Sequence, residues 1–260
     1  MSKENLSKEE FERDFKLKDT NWFYKGMYDI WSALINASIS SAFPVKAALD
    51  LGCGAGGKMA HLAKISDKVH GLDLSIEALE FCKREGAYYL SQATVEKLPY
   101  KDHVFSIVNA FDVLEHVDDD VGVLKEIHRV LAKEGFLVMA VPAFDILWSQ
   151  HDIANYHKRR YSAGALRRKL ENAGFKVRRM TYANFFLFFP VLIYRIVQYR
   201  LLRHAGEFKR TRVENLPGFL NALLGKILKL ESEIIRKIDL PCGVALLCVA
   251  QKSGLINTWD

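Results

Sequence analysis

The sequence predicts an α/β protein whose parallel sheet is joined by crossover helices, and three observations support this fold class. Short apolar, β-branched segments alternate with longer amphipathic ones from Ala47 to Pro142, which is the pattern of strand–helix–strand units. A glycine-rich turn directly follows the first apolar segment. Half of the 260 residues are hydrophobic, 26% are charged, and only 16 are Gly and 6 are Pro. Disordered, collagen-like and coiled-coil chains are therefore excluded.

Five strands and three helices are predicted in this first part of the chain. The strands are Ala47–Leu51, Val69–Asp73, Tyr88–Ala93, Phe105–Ala110 and Phe136–Val141. The helices are Gly57–Ile65, Ile76–Glu85 and Val117–Leu131. The last helix carries three aspartates in its first turn, where carboxylates interact favourably with the helix dipole.

The character of the chain changes after Pro142. The segment from Phe144 to Tyr161 is aromatic, rich in histidine and irregular, and Ser162 follows it as a helix cap. The elements predicted beyond it are a helix over Ala163–Asn172 and strands over Phe175–Tyr182 and Gly243–Ala250.

A helical insertion is predicted between those last two strands. The run FFLFFPVLIY at residues 185–194 holds no charge, but it is too short, and its continuation too polar, to span a bilayer. The stretch Phe219–Ile238 has its apolar residues on one helical stripe. The insertion either covers the substrate or forms a dimer interface, or it lies on an anionic membrane surface, which suits an apolar face flanked by arginines.

The N-terminal stretch Asn21–Ile39 is apolar and aromatic at a helical period. We expect most of it to pack in the core, with a lid over the ligand as the alternative. Trp22 and Tyr24 are its candidate substrate contacts. The predicted domains are an N-terminal helical lid segment (1–44), a main α/β domain (45–183 and 240–252) and the helical insertion (184–239).

The net charge of +6 is unevenly distributed. Residues 1–150 hold 17 basic and 23 acidic side chains, whereas residues 151–217 hold 15 and 4. The basic part suits a phosphate, a nucleic acid or an anionic membrane, and a solvated basic face without a partner is the alternative.

Four cysteines without a CxxC pair predict reduced thiols and no bound metal. The charged N-terminus lacks an apolar stretch of signal-peptide length, so a cytoplasmic protein is expected. Attachment to the inner face of the membrane, through residues 185–204, is a further hypothesis.

The motif AALDLGCGAGG at residues 47–57 carries the first chemical information. Its glycines let the backbone turn tightly and approach a ligand, and the helix that follows offers free N–H groups. The spacing also satisfies GxGxxG, so a nicotinamide dinucleotide is an alternative ligand. Asp73, at the end of the second strand, suits the hydroxyls of an adenosine ribose in either case, and a helix cap is its structural alternative.

Further motifs discriminate between these ligands. Asp50 precedes the glycines, and the chain continues with QATVEKLPYKDHVFSIVNAFDVLEHV and LKEIHRVLAKEGFLVMAVP. With these residues the chain closely resembles the class I S-adenosylmethionine-dependent methyltransferases of the type 11-like group, over about residues 20–252. Its opening, NWFYKGMYDIW, resembles the HWWFxGRR-type opening of a mostly uncharacterised bacterial and archaeal subgroup.

The resemblance implies a Rossmann-like, seven-stranded mixed sheet with helices on both faces and the last strand inserted antiparallel between its neighbours. It implies S-adenosylmethionine as the cofactor and S-adenosylhomocysteine as the product. The residues that it assigns to the cofactor are Asp50, Gly52, Gly54, Gly56, Asp73, Leu74, Thr94, Val95, Ala110 and Phe111. Asp73 would hold the ribose, and Leu74 would pack on the adenine. The family often has an acidic residue where Thr94 stands, so a hydroxyl or a backbone carbonyl would meet the adenine amino group here.

Methyl transfer itself needs mainly the alignment of the acceptor, the methyl group and the sulfur. A base is required only when the acceptor is a hydroxyl or a protonated amine. The candidate bases are His116, His151, Asp152, His157 and Tyr161, with structural hydrogen bonding as the alternative for each histidine. Arg160 is a candidate contact for an acceptor phosphate.

The sequence thus predicts a methyltransferase acting on a small or amphiphilic acceptor, a class that includes lipid-linked molecules. A non-catalytic scaffold with the same fold and a nicotinamide-dependent oxidoreductase are the alternatives. Nucleic acid is disfavoured because Asn109 is followed by Ala110, Phe111 and Asp112 and does not open an NPPY-like tetrapeptide. The chain is expected to be a monomer or a homodimer.

Overall fold

The computed structural model describes residues 8–39, 44–87, 89–202 and 216–253. Within these ranges one sheet contains β1 (Ala48–Leu51), β2 (Val69–Asp73), β3 (Tyr89–Gln92), β4 (Phe105–Phe111), β5 (Leu131–Pro142), β6 (Phe175–Ala183) and β7 (Ala245–Lys252). Their spatial order is β3-β2-β1-β4-β5-β7-β6. The first five strands pair in parallel, and β7 lies antiparallel between β5 and β6. The predicted fold class, including the antiparallel last strand, is confirmed.

The described ranges also contain the helices that connect these strands. They are α1 (Lys8–Leu17), α2 (Trp22–Ile39), α3 (Gly57–Leu62), α4 (Ile76–Arg84), α5 (Asp120–Val130), α6 (Gln150–Ala154), α7 (Ala163–Asn172), α8 (Phe188–Leu202) and α9 (Gly218–Ile235). Helices α1 and α6 are not predicted from the sequence. The predicted strand start at Tyr88 and the last two residues of the 185–204 segment lie outside the described residues.

Helix α5 begins three residues later than predicted, because the aspartates before it form a cap. Leu114–His116 is a short 3-10 turn, and Asp119 then accepts a 2.8 Å hydrogen bond from the backbone N–H of Gly122. A capping side chain belongs to the residue that precedes the helix. Of the three aspartates, only Asp120 therefore lies inside the first helical turn.

Two helical layers enclose the sheet. On one face α5 and α7 pack through Leu124 and Leu166 against strand residues that include Leu49. On the other face α2 and α9 pack through Ile30 and Leu228 against the opposite side of the same strands. Helix α2 and the insertion helix α9 therefore share one core with the sheet.

Helices α2 and α9 approach closely at a glycine. A Cβ added to Gly26 would lie 2.3 Å from Leu228 Cδ1 and 2.6 Å from Leu228 Cβ. The side chain of Asn221 joins the ends of the two helices, since its Oδ1 accepts from the Trp22 N–H at 3.0 Å and its Nδ2 donates to the Thr20 carbonyl at 3.0 Å. This contact fixes where α2 lies on the sheet.

Helix α8, like α9, exposes large apolar side chains. Phe189, Ile193 and Tyr194 are 62%, 63% and 63% exposed. Across the described parts of the chain, no helix is both long enough and apolar enough to cross a bilayer. The apolar surface of α8 lies beside the segment after β5, to which Arg195 binds through a 2.7 Å hydrogen bond to the Leu147 carbonyl.

Candidate active site

The turn between β1 and α3 is the first part of the site, at the edge of the sheet where the parallel strands end. Gly54 and Gly56 have φ values of 49° and 75°, a region that favours glycine. A Cβ added to Gly54 would meet no atom within 4 Å, whereas one added to Gly56 would lie 3.0 Å from Cys82 Sγ. The turn is therefore packed against α4 on one side and open at Gly54 on the other.

Asp73 joins the end of β2 to this turn. Its Oδ2 accepts a 2.9 Å hydrogen bond from the Gly54 N–H, and its Oδ1 accepts one of 2.9 Å from the Ser75 N–H. Ser75, rather than Asp73, caps α4, by accepting from the Ala78 N–H at 3.2 Å. A carboxylate oxygen has two lone pairs, so Asp73 retains acceptor capacity for a ligand hydroxyl on each oxygen.

An apolar strip lies beside Asp73. Two large hydrophobic residues are exposed here: Leu74, directly after β2, is 49% exposed, and Ile76, the first residue of α4, is 46% exposed. Val95 is half-buried and Thr94 is exposed, both just after β3. Such a strip beside a hydrogen-bonding carboxylate suits a flat ring joined to a sugar. Ile76 is not predicted from the sequence, and its exposed apolar side chain makes it a further candidate contact at this edge.

The floor of the site is a chain of three side chains from different elements. Asn109 Nδ2 donates a 2.6 Å hydrogen bond to Asp50 Oδ1, and Asn109 Oδ1 accepts one of 3.0 Å from Trp31 Nε1. Asp50 is buried, and its Oδ2 has no hydrogen-bond partner among the described residues. Burial raises the pKa of Asp50 to about 6, although the charge of Lys58 and the bond from Asn109 both lower it.

Phe111 forms the wall at the end of β4. Its ring packs edge-on against Trp31, with the centroids 6.4 Å apart, and Lys58 Nζ lies 5.0 Å from the ring centroid. Ala110, beside it, is fully buried. The same Lys58 ammonium lies 4.0 Å from Asp112 Oδ2, so its charge is held at the mouth of the site.

These residues fit an adenosine that carries a charged amino-acid tail. The open glycine and Asp73 suit the ribose, the apolar strip suits the purine, and the unpaired Asp50 oxygen is the kind of buried acceptor that a ligand donor satisfies. The ten residues predicted for the cofactor all lie on the turn or at the ends of β1 to β4. The residues that sequence reasoning misses here are Trp31 and Asn109, since neither belongs to the glycine motif.

A second group of polar residues lies beyond β5. Asp152 is completely buried and accepts from the Ser149 N–H at 2.9 Å, while Arg160 Nη2 lies 2.8 Å from its Oδ1. His157 Nδ1 lies 2.9 Å from the same Oδ1. Burial by itself raises the pKa of Asp152, but the bonds from His157 and Arg160 outweigh it and hold the pKa below its ordinary value. Asp152 is therefore an ionised centre that orients His157.

The 3-10 turn after β4 brings Glu115 and His116 to the same place. The Lys158 N–H donates a 2.7 Å hydrogen bond to the Glu115 carbonyl, and the rings of His116 and His157 are 4.9 Å apart between centroids. A Cβ added to Gly52 would lie 3.2 Å from Val113, two residues before Glu115. We refer to Glu115, His116, Asp152 and His157 as the acid–histidine cluster, and it adjoins the glycine turn.

The other two predicted bases are His151 and Tyr161, and neither belongs to this cluster. The ring of His151 is 5.9 Å from that of His157, and burial, with the charge of Arg195, lowers its pKa to about 4. Tyr161 is buried, and its hydroxyl donates to Asp120 Oδ2 at 2.9 Å. Burial, followed by the charge of Asp120, raises the pKa of this hydroxyl far above its ordinary value.

The basic residues after β5 are largely paired with the aspartates before α5. Arg159 lies 3.1 Å from Asp120 and Lys169 lies 2.8 Å from it, and Lys158 pairs with Asp118. Much of the local positive charge is therefore used in ion pairs that connect two segments of the chain. Of the candidate substrate contacts, Arg160 pairs with Asp152. Trp22 and Tyr24 lie at the start of α2, and Trp22 lies beside Gly225 of α9.

Comparison with known proteins relates this arrangement to methyltransferases. A family model described as a methyltransferase domain matches residues 49–139, which run from β1 to β5. An uncharacterised protein of Methanocaldococcus jannaschii is 30% identical over 180 residues, covering 62% of this chain and 74% of that protein. The ubiquinone biosynthesis O-methyltransferase of Haemophilus ducreyi is 30% identical over 105 residues, covering 36% of this chain and 44% of that enzyme.

Solved structures show the same fold at lower identity. A methyltransferase of Archaeoglobus fulgidus that depends on S-adenosylmethionine has a TM-score of 0.54 and 15% identity, covering 92% of this chain and 99% of that one. The chain spans only 33% and 39% of the length of two further curated relatives, from Streptomyces fradiae and M. jannaschii.

Proposed function

Because the chain belongs to the class I S-adenosylmethionine-dependent methyltransferases, we propose that it transfers the methyl group of S-adenosylmethionine to an acceptor that binds beside the acid–histidine cluster. The observation that carries this proposal is the position of Asp73, which binds the open glycine turn at Gly54 and keeps acceptor capacity for a ribose. The same edge of the sheet presents both this cofactor cradle and the cluster.

Each part of the cradle has a role toward the cofactor. Asp73 would accept hydrogen bonds from the ribose hydroxyls, and Leu74, Ile76 and Val95 would pack on the adenine. Asp50 and the loop around Gly52 would face the charged methionine part. When bound, the cofactor supplies a methyl group attached to a sulfonium sulfur. The neutral thioether that remains after the transfer is a good leaving group.

The acid–histidine cluster prepares the acceptor. His157 is the proposed base for an acceptor hydroxyl or ammonium, and Asp152 is its positioning residue, because the 2.9 Å contact to Nδ1 fixes the tautomer that leaves Nε2 free to take a proton. The neutral imidazole becomes a cation that the ionised Asp152 stabilises. Alignment of the acceptor with the methyl group then supplies most of the rate enhancement.

The acceptor that we propose is small or amphiphilic, and its amphiphilic form would reach the site from an anionic membrane surface. Support comes from the exposed apolar side chains of α8, whose Arg195 binds the segment that carries the cluster. The relative in ubiquinone biosynthesis acts in the formation of such a molecule. Co-sedimentation with vesicles of anionic phospholipid at low salt tests this, with neutral vesicles as the control, and failure to pellet removes the membrane proposal.

Cofactor binding is tested by calorimetry with S-adenosylhomocysteine, and with a nicotinamide dinucleotide as comparator. We expect binding of the first alone, and the reverse would overturn the proposal. Transfer is tested with S-adenosylmethionine labelled in its methyl group, incubated with lipid and aqueous extracts. Binding without any transfer to either extract would favour a non-catalytic scaffold.

A further inference from the structure

We propose that Glu115, His116 and His157 form a binding site for one divalent first-row transition-metal ion. This inference deepens the proposed function, on which its catalytic meaning rests, and it replaces the expectation of a protein without metal. The site would lie next to the position of the acceptor, so the ion would bind an acceptor oxygen.

The three side chains already converge. One donor atom from each, a carboxylate oxygen and two imidazole nitrogens, lies within 4.8 Å of the others. An ion with bonds of about 2.0–2.2 Å would hold such donors roughly 3–4 Å apart. The two segments that carry these side chains are joined directly, because the Lys158 N–H, next to His157, donates to the Glu115 carbonyl.

Glu115 is the strongest single observation for a cation. The residue is completely buried, and neither carboxylate oxygen has a hydrogen-bond partner among the described residues. Buried carboxylates in folded proteins are almost always paired or hydrogen-bonded, because burying one alone carries a large desolvation penalty.

His157 is already arranged as a metal-binding histidine would be. Asp152 holds Nδ1 at 2.9 Å, which leaves Nε2 as the nitrogen for an ion. A carboxylate on the other ring nitrogen is the usual partner of a metal-bound histidine, since it fixes the ring and raises its basicity. Asp152 is in turn held by Ser149 and Arg160.

The donor set selects the kind of ion. Two imidazoles and one carboxylate suit Zn²⁺, Fe²⁺, Co²⁺ or Mn²⁺, whereas Mg²⁺ prefers oxygen ligands alone. Three protein ligands also leave coordination positions open for an acceptor hydroxyl. The ion would lower the pKa of that hydroxyl, whose proton passes to water. The oxygen then forms its bond to the methyl carbon as the carbon–sulfur bond breaks, and its electron pair stays on the sulfur. With the ion bound, His157 is a ligand and not the base.

Binding of Co²⁺ is the direct test, because imidazole ligands give this ion a visible absorption band. The chelator-treated 260-residue chain should bind one Co²⁺ and compete for it with Zn²⁺. Glu115→Gln and His116→Gln should each weaken Co²⁺ binding at least about 100-fold, more than loss of an outer-shell partner does. The matched control is His103→Gln, at the opposite edge of the sheet beside Lys252, and it should leave the affinity unchanged.

Calorimetry with S-adenosylhomocysteine on the same preparations separates this inference from the proposed function. A wild-type chain that binds S-adenosylhomocysteine but no Co²⁺ would overturn the metal site alone. Equal Co²⁺ affinity in wild type and both ligand variants would do the same. If Glu115→Gln does not fold, as shown by circular dichroism, His116→Gln decides, since that side chain is only half-buried.

Discussion

Asn109 donates a 2.6 Å hydrogen bond to the buried carboxylate of Asp50, and its carbonyl oxygen binds the indole of Trp31. One side chain of β4 therefore connects the strand that precedes the glycine turn to helix α2. This relationship connects α2 to the candidate cofactor site, and it makes the position of that helix a condition for the shape of the site.

Replacing Asn109 should reduce stability and cofactor affinity together. Asn109→Ala leaves both Asp50 and Trp31 without their partner, and a buried polar group without one costs about 1–3 kcal/mol. Trp31→Phe removes only the indole donor and should cost less. Urea unfolding and calorimetry with S-adenosylhomocysteine measure the two effects. An Asn109→Ala variant as stable as wild type would contradict the assigned role.

Asp73→Asn should weaken S-adenosylhomocysteine binding about 10–100-fold, which corresponds to loss of a charged hydrogen bond of about 1.5–3 kcal/mol. The variant removes the acceptor charge at the end of β2 and loosens the bond to Gly54. Asp67→Asn is the matched control, since Asp67 is exposed at the other end of β2. Equal affinity in the two variants, measured by calorimetry, would remove Asp73 from the cofactor site.

Cofactor affinity should rise with pH through about 6. The pKa of Asp50 is raised by burial to about 6, so the free protein carries a neutral Asp50 below that pH and an ionised one above it. A cofactor with a cationic methionine part favours the ionised form, so lower pH opposes binding. Calorimetry between pH 5 and 8 checks this, since the range extends from about one pH unit below the transition to about two above it. In Asp50→Asn the affinity should be lower and the rise absent, and a persistent rise would assign it to another group.

Helix packing gives a prediction that is independent of the site. Gly26→Ala should destabilise the protein by about 1–3 kcal/mol, because the new methyl group would overlap Leu228, including its Cβ. Gly225→Ala is the control in the facing helix, where the nearest atom, Trp22 Cβ, is 3.9 Å away. That variant should gain up to about 1 kcal/mol from helix propensity. Equal thermal midpoints for the two variants would show that α2 and α9 do not pack as described.

Arg160 should matter for stability before it matters for the acceptor. Its side chain is 1% exposed and pairs with Asp152, so Arg160→Met leaves a buried carboxylate with fewer positive partners and should cost about 3 kcal/mol. Arg167→Met, on the exposed face of α7, should change stability by less than about 0.5 kcal/mol. Full stability of Arg160→Met with a raised KM for the acceptor would instead support the predicted phosphate contact.

The charge count of the basic segment, residues 151–217, does not predict which of its charges pair within the protein. Residues 151–217 hold 15 basic and 4 acidic side chains, which favours an anionic partner. In the structure Arg159 and Lys169 bind Asp120, which lies about forty residues before the first and 49 residues before the second. A sum over a segment contains no information on which distant charges pair with it, and only the tertiary contacts show these intramolecular ion pairs.

The sequence by itself determined where the strands and helices of the first part lie along the chain, the glycine turn after β1 and the place of Asp73 at the end of β2, because each depends on residues near one another in the chain. Hydrophobic alternation and glycine spacing are local properties, and they correctly predict local elements. Only the tertiary structure decided that Trp31, Asn109 and Asp50 form one hydrogen-bonded chain. It also decided that the Glu115 carboxylate is buried near His116 and His157, with no hydrogen-bond partner for its oxygens among the described residues. Burial and pairing depend on atoms that distant segments of the chain bring together. The period of the hydrophobic residues indicates which face of a helix or strand is buried, but not which residues that face contacts.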